Sequence, residues 1–120
     1  MPSLLVHATC GPDDPTKAAL AGFVAAAAIA AGHDVTLFLA GDAVQLVRPA
    51  VRESLVGLGT GRFGEHFEAF IAGGGALVVS KASCAARGVT EADLDDLDHE
   101  KGTPARLVEL VITCDRSIVY

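Results

Sequence analysis

Apolar positions along the chain fall into short blocks closed off by Gly, Pro or Asp, alternating with longer stretches that repeat at helical spacing. Ser3 to Thr9 (SLLVHAT), Asp34 to Ala40 (DVTLFLA) and Ala76 to Val79 (ALVV) are blocks of the first kind. Each is apolar at nearly every step, as expected of parallel strands covered on both faces. Ser117 to Tyr120 predicts a closing strand. After the first strand, Cys10 to Pro15 is a turn. Asp14 is placed there as a helix N-cap with Pro15 at the first helical position, so a helix is expected to about Ala31, stopped by Gly32. Gly41 and Asp42 close the second strand; Asp42 is expected to cap a short helix through Val47, and Pro49 to open another to about Val56. Glu65 to Ala72 predicts a helix with Phe67, Phe70 and Ile71 on one face. Thr90 and Asp93 spell a capping box, and Thr103-Pro104 starts a last helix with a broad face of Leu107, Val108, Leu110, Val111 and Ile112. The order β-α-β-α-α-β-α-α-β predicts an α/β fold, a three-layer α/β/α sandwich around a mostly parallel sheet of four to five strands, as one domain over residues 1–120.

One stretch breaks the pattern. GLGTGRFG, Gly57 to Gly64, matches GxGxxG at Gly59, Gly61 and Gly64. A dinucleotide fingerprint needs a strand immediately before it, whereas a helix precedes this one, so the stretch is read as a mobile loop.

Composition narrows the function. Half of the residues are apolar and Trp is absent, so the core is expected to be Ala, Val and Leu at close backbone distances. A formal charge of −6 without any basic cluster excludes a nucleic-acid surface. Ala18 to Ala31 is almost wholly apolar, but it falls short of the ~20 residues that span a bilayer. It predicts a buried helix and no membrane partner. Because that helix has no polar side, one flank is expected against the sheet and the other against a second copy, giving a homo-oligomer. Met1 to Thr9 has no basic n-region, and a cytoplasmic protein is expected.

Three cysteines, an odd number and widely spaced, fit free thiols in a reducing compartment. No CxxC or HxxxH pair occurs, so no metal site and no cofactor are expected. His7 reads as a satisfied core histidine, and His33, His66 and His99 as exposed. The residue with the sharpest chemical placement is Cys84. The strand Ala76 to Val79 delivers it to a polar turn (SKASCAARG) at the carboxyl edge of the sheet, where ligands gather in open α/β folds. Lys81, Arg87 and a helical turn from Ala85 onward would favour its thiolate, and Lys81, Arg87 and Gly88 are expected as binding residues beside it. Arg87 either steadies an anion there or pairs with the acidic stretch Asp93 to Glu100, itself read as a solvated surface. Cys10 ends the first strand on the same edge, as a resolving thiol or an ordinary turn residue. Asp42 adds a pocket role secondary to its cap. Cys114 is expected to be buried beneath the last helix.

The Cys-Gly-Pro-Asp-Asp turn, the Gly-Asp that ends the second strand, CAARGVTEADL after the third and the closing TPARLVELVITCDRSIVY together resemble the DsrE/DsrF-like family of small sulfur-relay proteins over nearly the whole chain. The resemblance implies a DsrEFH-like fold and a cysteine, Cys84 here, that carries sulfane sulfur as a persulfide between a donor and an acceptor protein. Spacing from Cys84 to Arg87 is shorter than in the sulfur-relay members. The alternative is a non-catalytic module of the same fold that binds a small ligand or a protein, with Cys84 incidental.

Overall fold

The computed structural model of the chain describes residues 2–120. Five parallel strands, β1 (Ser3–Ala8), β2 (Asp34–Leu39), β5 (Ala76–Ser80), β6 (Glu100–Gly102) and β7 (Arg116–Val119), form one sheet in the order β6-β5-β2-β1-β7. A two-residue antiparallel pair, β3 (Val56–Gly57) and β4 (Gly61–Arg62), stands apart. The helices are α1 (Pro15–Ala30), α2 (Pro49–Ser54), α3 (Phe63–Ala72), α4 (Lys81–Arg87), α5 (Glu91–Leu94) and α6 (Pro104–Thr113), with a 3-10 segment over Gly41–Val47. The expected α/β sandwich with a parallel sheet is therefore the observed one.

Its end signals act as read. The Asp14 carboxylate accepts from Lys17 N, Thr103 accepts from Arg106 N, and the Thr90–Asp93 capping box is closed from both sides. One face of the sheet carries the large core, built from α1, α2, α3, α4, α5 and the 3-10 segment, with Phe63, Phe67 and Phe70 fully buried in it. The other face has a small cluster of Leu5, Phe38, Val78 and Leu110 under α6. The layers are thus unequal.

Four expectations are corrected here. β6 was not foreseen: three residues, two of them charged, lack any apolar signature, and charge is what edge strands commonly carry against unwanted pairing. GLGTGRFG is a hydrogen-bonded hairpin and not a mobile loop, because a Cβ on Gly57 would lie 2.9 Å from Thr16 Cα, and Leu58 N donates to Thr16 Oγ1 at 3.1 Å. Only a glycine lets the hairpin sit that close to α1. α1 packs on α3 and on this hairpin within one copy, with Phe23 stacked on His66 at 4.4 Å, so much of its apolar surface is met without a second copy. Finally, His33, His66 and His99 are half-buried, with the His66 and His99 rings bonded to the carbonyls of Thr60 and Leu97.

His7 lies edge-on to Phe38 with Nε2 buried and no hydrogen-bond partner, and burial holds its pKa below the ordinary 6.5. The unfolded chain takes up a proton at 6.5 that the folded chain refuses until lower pH, so this residue subtracts stability as pH falls below 6.5 and nothing above it. Replacing it by Phe should flatten the fall in urea midpoint between pH 7 and pH 5.5, the window of an unperturbed histidine. An unchanged slope would show that His7 is not its source.

Candidate functional site

All five strands of the main sheet point the same way, so their carboxyl ends share one edge, and most of the residues singled out above gather there. Cys10 and Gly11 follow β1, Asp42 follows β2, and α4 follows β5 with Ser80 as its N-cap, accepting from Ser83 N at 3.3 Å. The α4 cap at Ser80 explains the largest difference from expectation. The helix starts at Lys81, before Cys84 and not after it, and this turns the thiol inward. Cys84 is 3% exposed within the large core. Burial, the leading cause, pushes its pKa above the ordinary value instead of lowering it.

The expected cations are not its partners. Lys81 is exposed on the first turn of α4, and Arg87 Nε lies 3.5 Å from Asp42 Oδ1. Arg87 thus meets neither the thiol nor the acidic stretch. The charges that act on Cys84 are Lys101 and Arg48, which favour the thiolate, and Glu91 and Asp93, which oppose it. Arg48 and Lys101 carry no sequence signal that links them to Cys84, because both are distant from it along the chain and neither belongs to a motif.

Asp42 is not a helix cap. The 3-10 segment begins a residue earlier, at Gly41, so Asp42 is past the cap position and its carboxylate is free to bridge the edge. It receives Asp13 N at 3.1 Å and faces Arg87, while Gly11 N donates to Asp13 Oδ1 at 2.8 Å. The loop after β1 is thereby tied to the last turn of α4. Asp13 is held below the ordinary carboxylate pKa chiefly by the Gly11 N–H. Gly11 is pressed against this bridge: a Cβ on it would lie 2.3 Å from the Asp42 carbonyl oxygen. Ser83 Oγ accepts Gly41 N at 2.9 Å, a second tie between the β2 and β5 ends. Gly88 ends α4 at φ 66°, a left-handed conformation that suits glycine.

Cys10 is half-buried on this edge, with its sulfur 4.0 Å from Thr9 Oγ1. Cys114 caps the carboxyl end of α6, half-buried at the opposite edge. Among the described residues no three His, Cys, Asp or Glu converge as metal ligands, and no helix is long and apolar enough to cross a membrane. A cavity of about 400 Å³ opens at the amino end of β5, lined by Gly75, Ala76, His99, Glu100 and Arg106, away from the carboxyl edge.

The acidic stretch is not simply a solvated surface. Leu94 is fully buried within it, and Asp93, Asp96 and Glu100 are paired with Arg48 (3.7 Å), Arg52 (2.8 Å) and Arg106 (2.8 Å).

The model of the DsrE/DsrF-like family matches residues 3–120. The crystal structure of the ychN protein from E. coli aligns with a TM-score of 0.77 over 100% of both chains at 21% identity, a likeness of fold. Comparison with curated proteins returns no significant match.

Proposed function

The chain belongs to the DsrE/DsrF-like family, and on that premise we propose that it is a sulfur-relay protein whose carrier is the Cys84 sulfur. The observation that carries the reading is the place of Cys84. It lies one turn into the helix that leaves β5 at the carboxyl edge, in a chain matched to the family almost end to end. In the step, the Cys84 thiolate attacks the outer sulfur of a donor persulfide. A new S–S bond forms at Cys84, the donor's S–S bond breaks, and the donor leaves as a thiolate. An acceptor thiolate repeats the exchange on the Cys84 persulfide. No net oxidation occurs and no cofactor is called for. Because burial keeps the resting thiol protonated, loading requires Cys84 to be uncovered.

Incubation with an inorganic polysulfide followed by peptide mass mapping tests the proposal. An adduct of about 32 Da, one sulfur atom, is expected on the Cys84 peptide and lost in Cys84→Ser. An adduct on Cys10 alone, or none, rejects it.

A second reading, a binding module without sulfur chemistry, is favoured by the burial of Cys84 itself. In that case the Gly11, Asp42 and Arg87 bridge at the strand ends is the working surface.

Self-association belongs to the proposal too, with a different motive from that found in the sequence. The outer side of α6 shows Ala105, Val108, Val111 and Ile112 to solvent with no charge in the stripe, and Val119 of the neighbouring edge strand β7 is exposed as well. This is the thin side of the sandwich, and a second copy is its occupant.

A further inference from the structure

The segment after α4 shares the large core with Cys84 and differs from the rest of that core in what holds it down. Residues 90–99 contribute two apolar anchors, Leu94, fully buried in the same cluster as Cys84, and Leu97, packed against that cluster. Beside these anchors and the Thr90–Asp93 capping box, the segment is fastened by ion pairs from Arg48, α2 and β6. Arg48, just before α2, lies 3.7 Å from Asp93; Arg52 of α2 meets Asp96 at 2.8 Å; Lys101 of β6 pairs with Glu91. The Glu91 and Asp96 side chains are 72% and 57% exposed, so these pairs are individually weak and open to screening by salt. The cations have ties of their own outside this segment. Arg48 Nη2 donates to the carbonyl of Arg87 at 2.9 Å, at the end of the Cys84 helix, and its Nε is buried without a hydrogen-bond partner. Lys101 is in register with Val79 of β5, which shares the large core with Cys84, and side chains of register partners share a face of the sheet.

We propose that residues 90–99 are an ion-paired strap that lifts to expose Cys84, and that Arg48 and Lys101, released from Asp93 and Glu91, then become the cations that hold the Cys84 sulfur as an anion. This rests on Cys84 being the sulfur carrier and supplies the uncovering that the carrier requires. The charge pattern fits the same division. Both carboxylates that oppose the thiolate, Glu91 and Asp93, ride on the strap, whereas both cations that favour it stay with the frame. Closed, the strap adds burial and two negative neighbours and neutralises the cations; open, it removes all three effects at once. Arg48 and Lys101 are positioning residues here, acting on the sulfur without taking part in the exchange.

The test is iodoacetamide labelling of the full chain, read separately at Cys84, Cys10 and Cys114 by peptide mapping from pH 6 to 9. Asp96→Asn should speed Cys84 labelling about two- to five-fold, the range of one exposed ion pair, and about 0.5 M salt should do the same to the unaltered chain. Cys10 and Cys114 should keep their rates. Lys101→Met should raise the pH at which Cys84 labelling is half-maximal, whatever it does to the plateau rate, and Lys101→Arg should restore it. Cys84 labelling that ignores both salt and Asp96→Asn, or that follows global unfolding in its urea dependence, overturns the strap. An unmoved pH midpoint in Lys101→Met overturns the role of that lysine. Failure of the relay itself looks different: Cys84 would alkylate in a salt-dependent way yet take up no sulfur from polysulfide.

Discussion

Leu94→Ala is expected to lower stability by about 2–5 kcal/mol, the range for truncating a fully buried leucine, and to raise native-state alkylation of Cys84 more than any exposed substitution. Leu94 is 0% exposed on a four-residue helix, α5, that has no apolar partner of its own. Its side chain joins α5 to the large core; the remaining ties of residues 90–99 are the half-buried Leu97, the capping box and the ion pairs. Removing it leaves a cavity beside a segment that can peel off, so part of the cost should appear as local opening. Two measurements separate the parts. The urea midpoint gives the global loss, and labelling of Cys84 well below that midpoint gives the local one. A loss of stability with no change in Cys84 labelling would mean that some other part of the chain covers the thiol.

The second large effect concerns assembly. Val108→Asp with Ile112→Asp should convert the protein to a species of 12.2 kDa by light scattering at concentrations where the unaltered chain gives a multiple of that mass. These two side chains are 57% and 76% exposed on the outer side of α6, so neither change removes anything from the core of one copy. If the stripe is covered by a second copy, each copy must then bury two carboxylates without partners. A weakening of at least ~100-fold follows, equivalent to about 3 kcal/mol. A monomer mass for the unaltered chain at micromolar concentration rejects self-association outright, and an unchanged assembly in the double variant moves the interface elsewhere.

Elements whose signals are local could be read from the sequence, and those defined by partners could not. Asp14 with Pro15, Thr90 with Asp93 and Thr103 with Pro104 each settle a helix start within a few residues, and β1, β2 and β5 are continuous apolar runs. β6 has no such run; Glu100, Lys101 and Gly102 form a strand because β5 offers them an edge. The glycines of GLGTGRFG signalled flexibility, yet at Gly57 the absent side chain serves close contact with α1. At the site, the gathering of Cys10, Asp42 and Arg87 at one edge followed from strand direction alone. The state of Cys84 did not. Ser80 was a legible N-cap, and placing the helix start there would have put Cys84 on its first full turn, but which way that turn faces depends on Leu94 and the 3-10 segment. The neighbours that set its charge, Arg48 and Lys101, carry no spacing that links them to it.

The position of β7 has a consequence for synthesis. β1 pairs with β2 on one side and with β7 on the other, in register Leu4 with Arg116 and His7 with Val119, and Ser3 N also donates to the Asp115 carboxylate at 2.7 Å. A ribosome releases β1 and β2 early, and they can pair as soon as α1 has closed between them. The other side of β1 must then wait, with its backbone donors and acceptors unpaired, for almost the whole chain to be made. During that interval the nascent chain presents a bare parallel edge of apolar residues, and contacts of such long sequence separation are the slow ones to form. The period of greatest aggregation risk is therefore the time between emergence of α1 and emergence of β7, and it should lengthen when translation is slowed over residues 40–115.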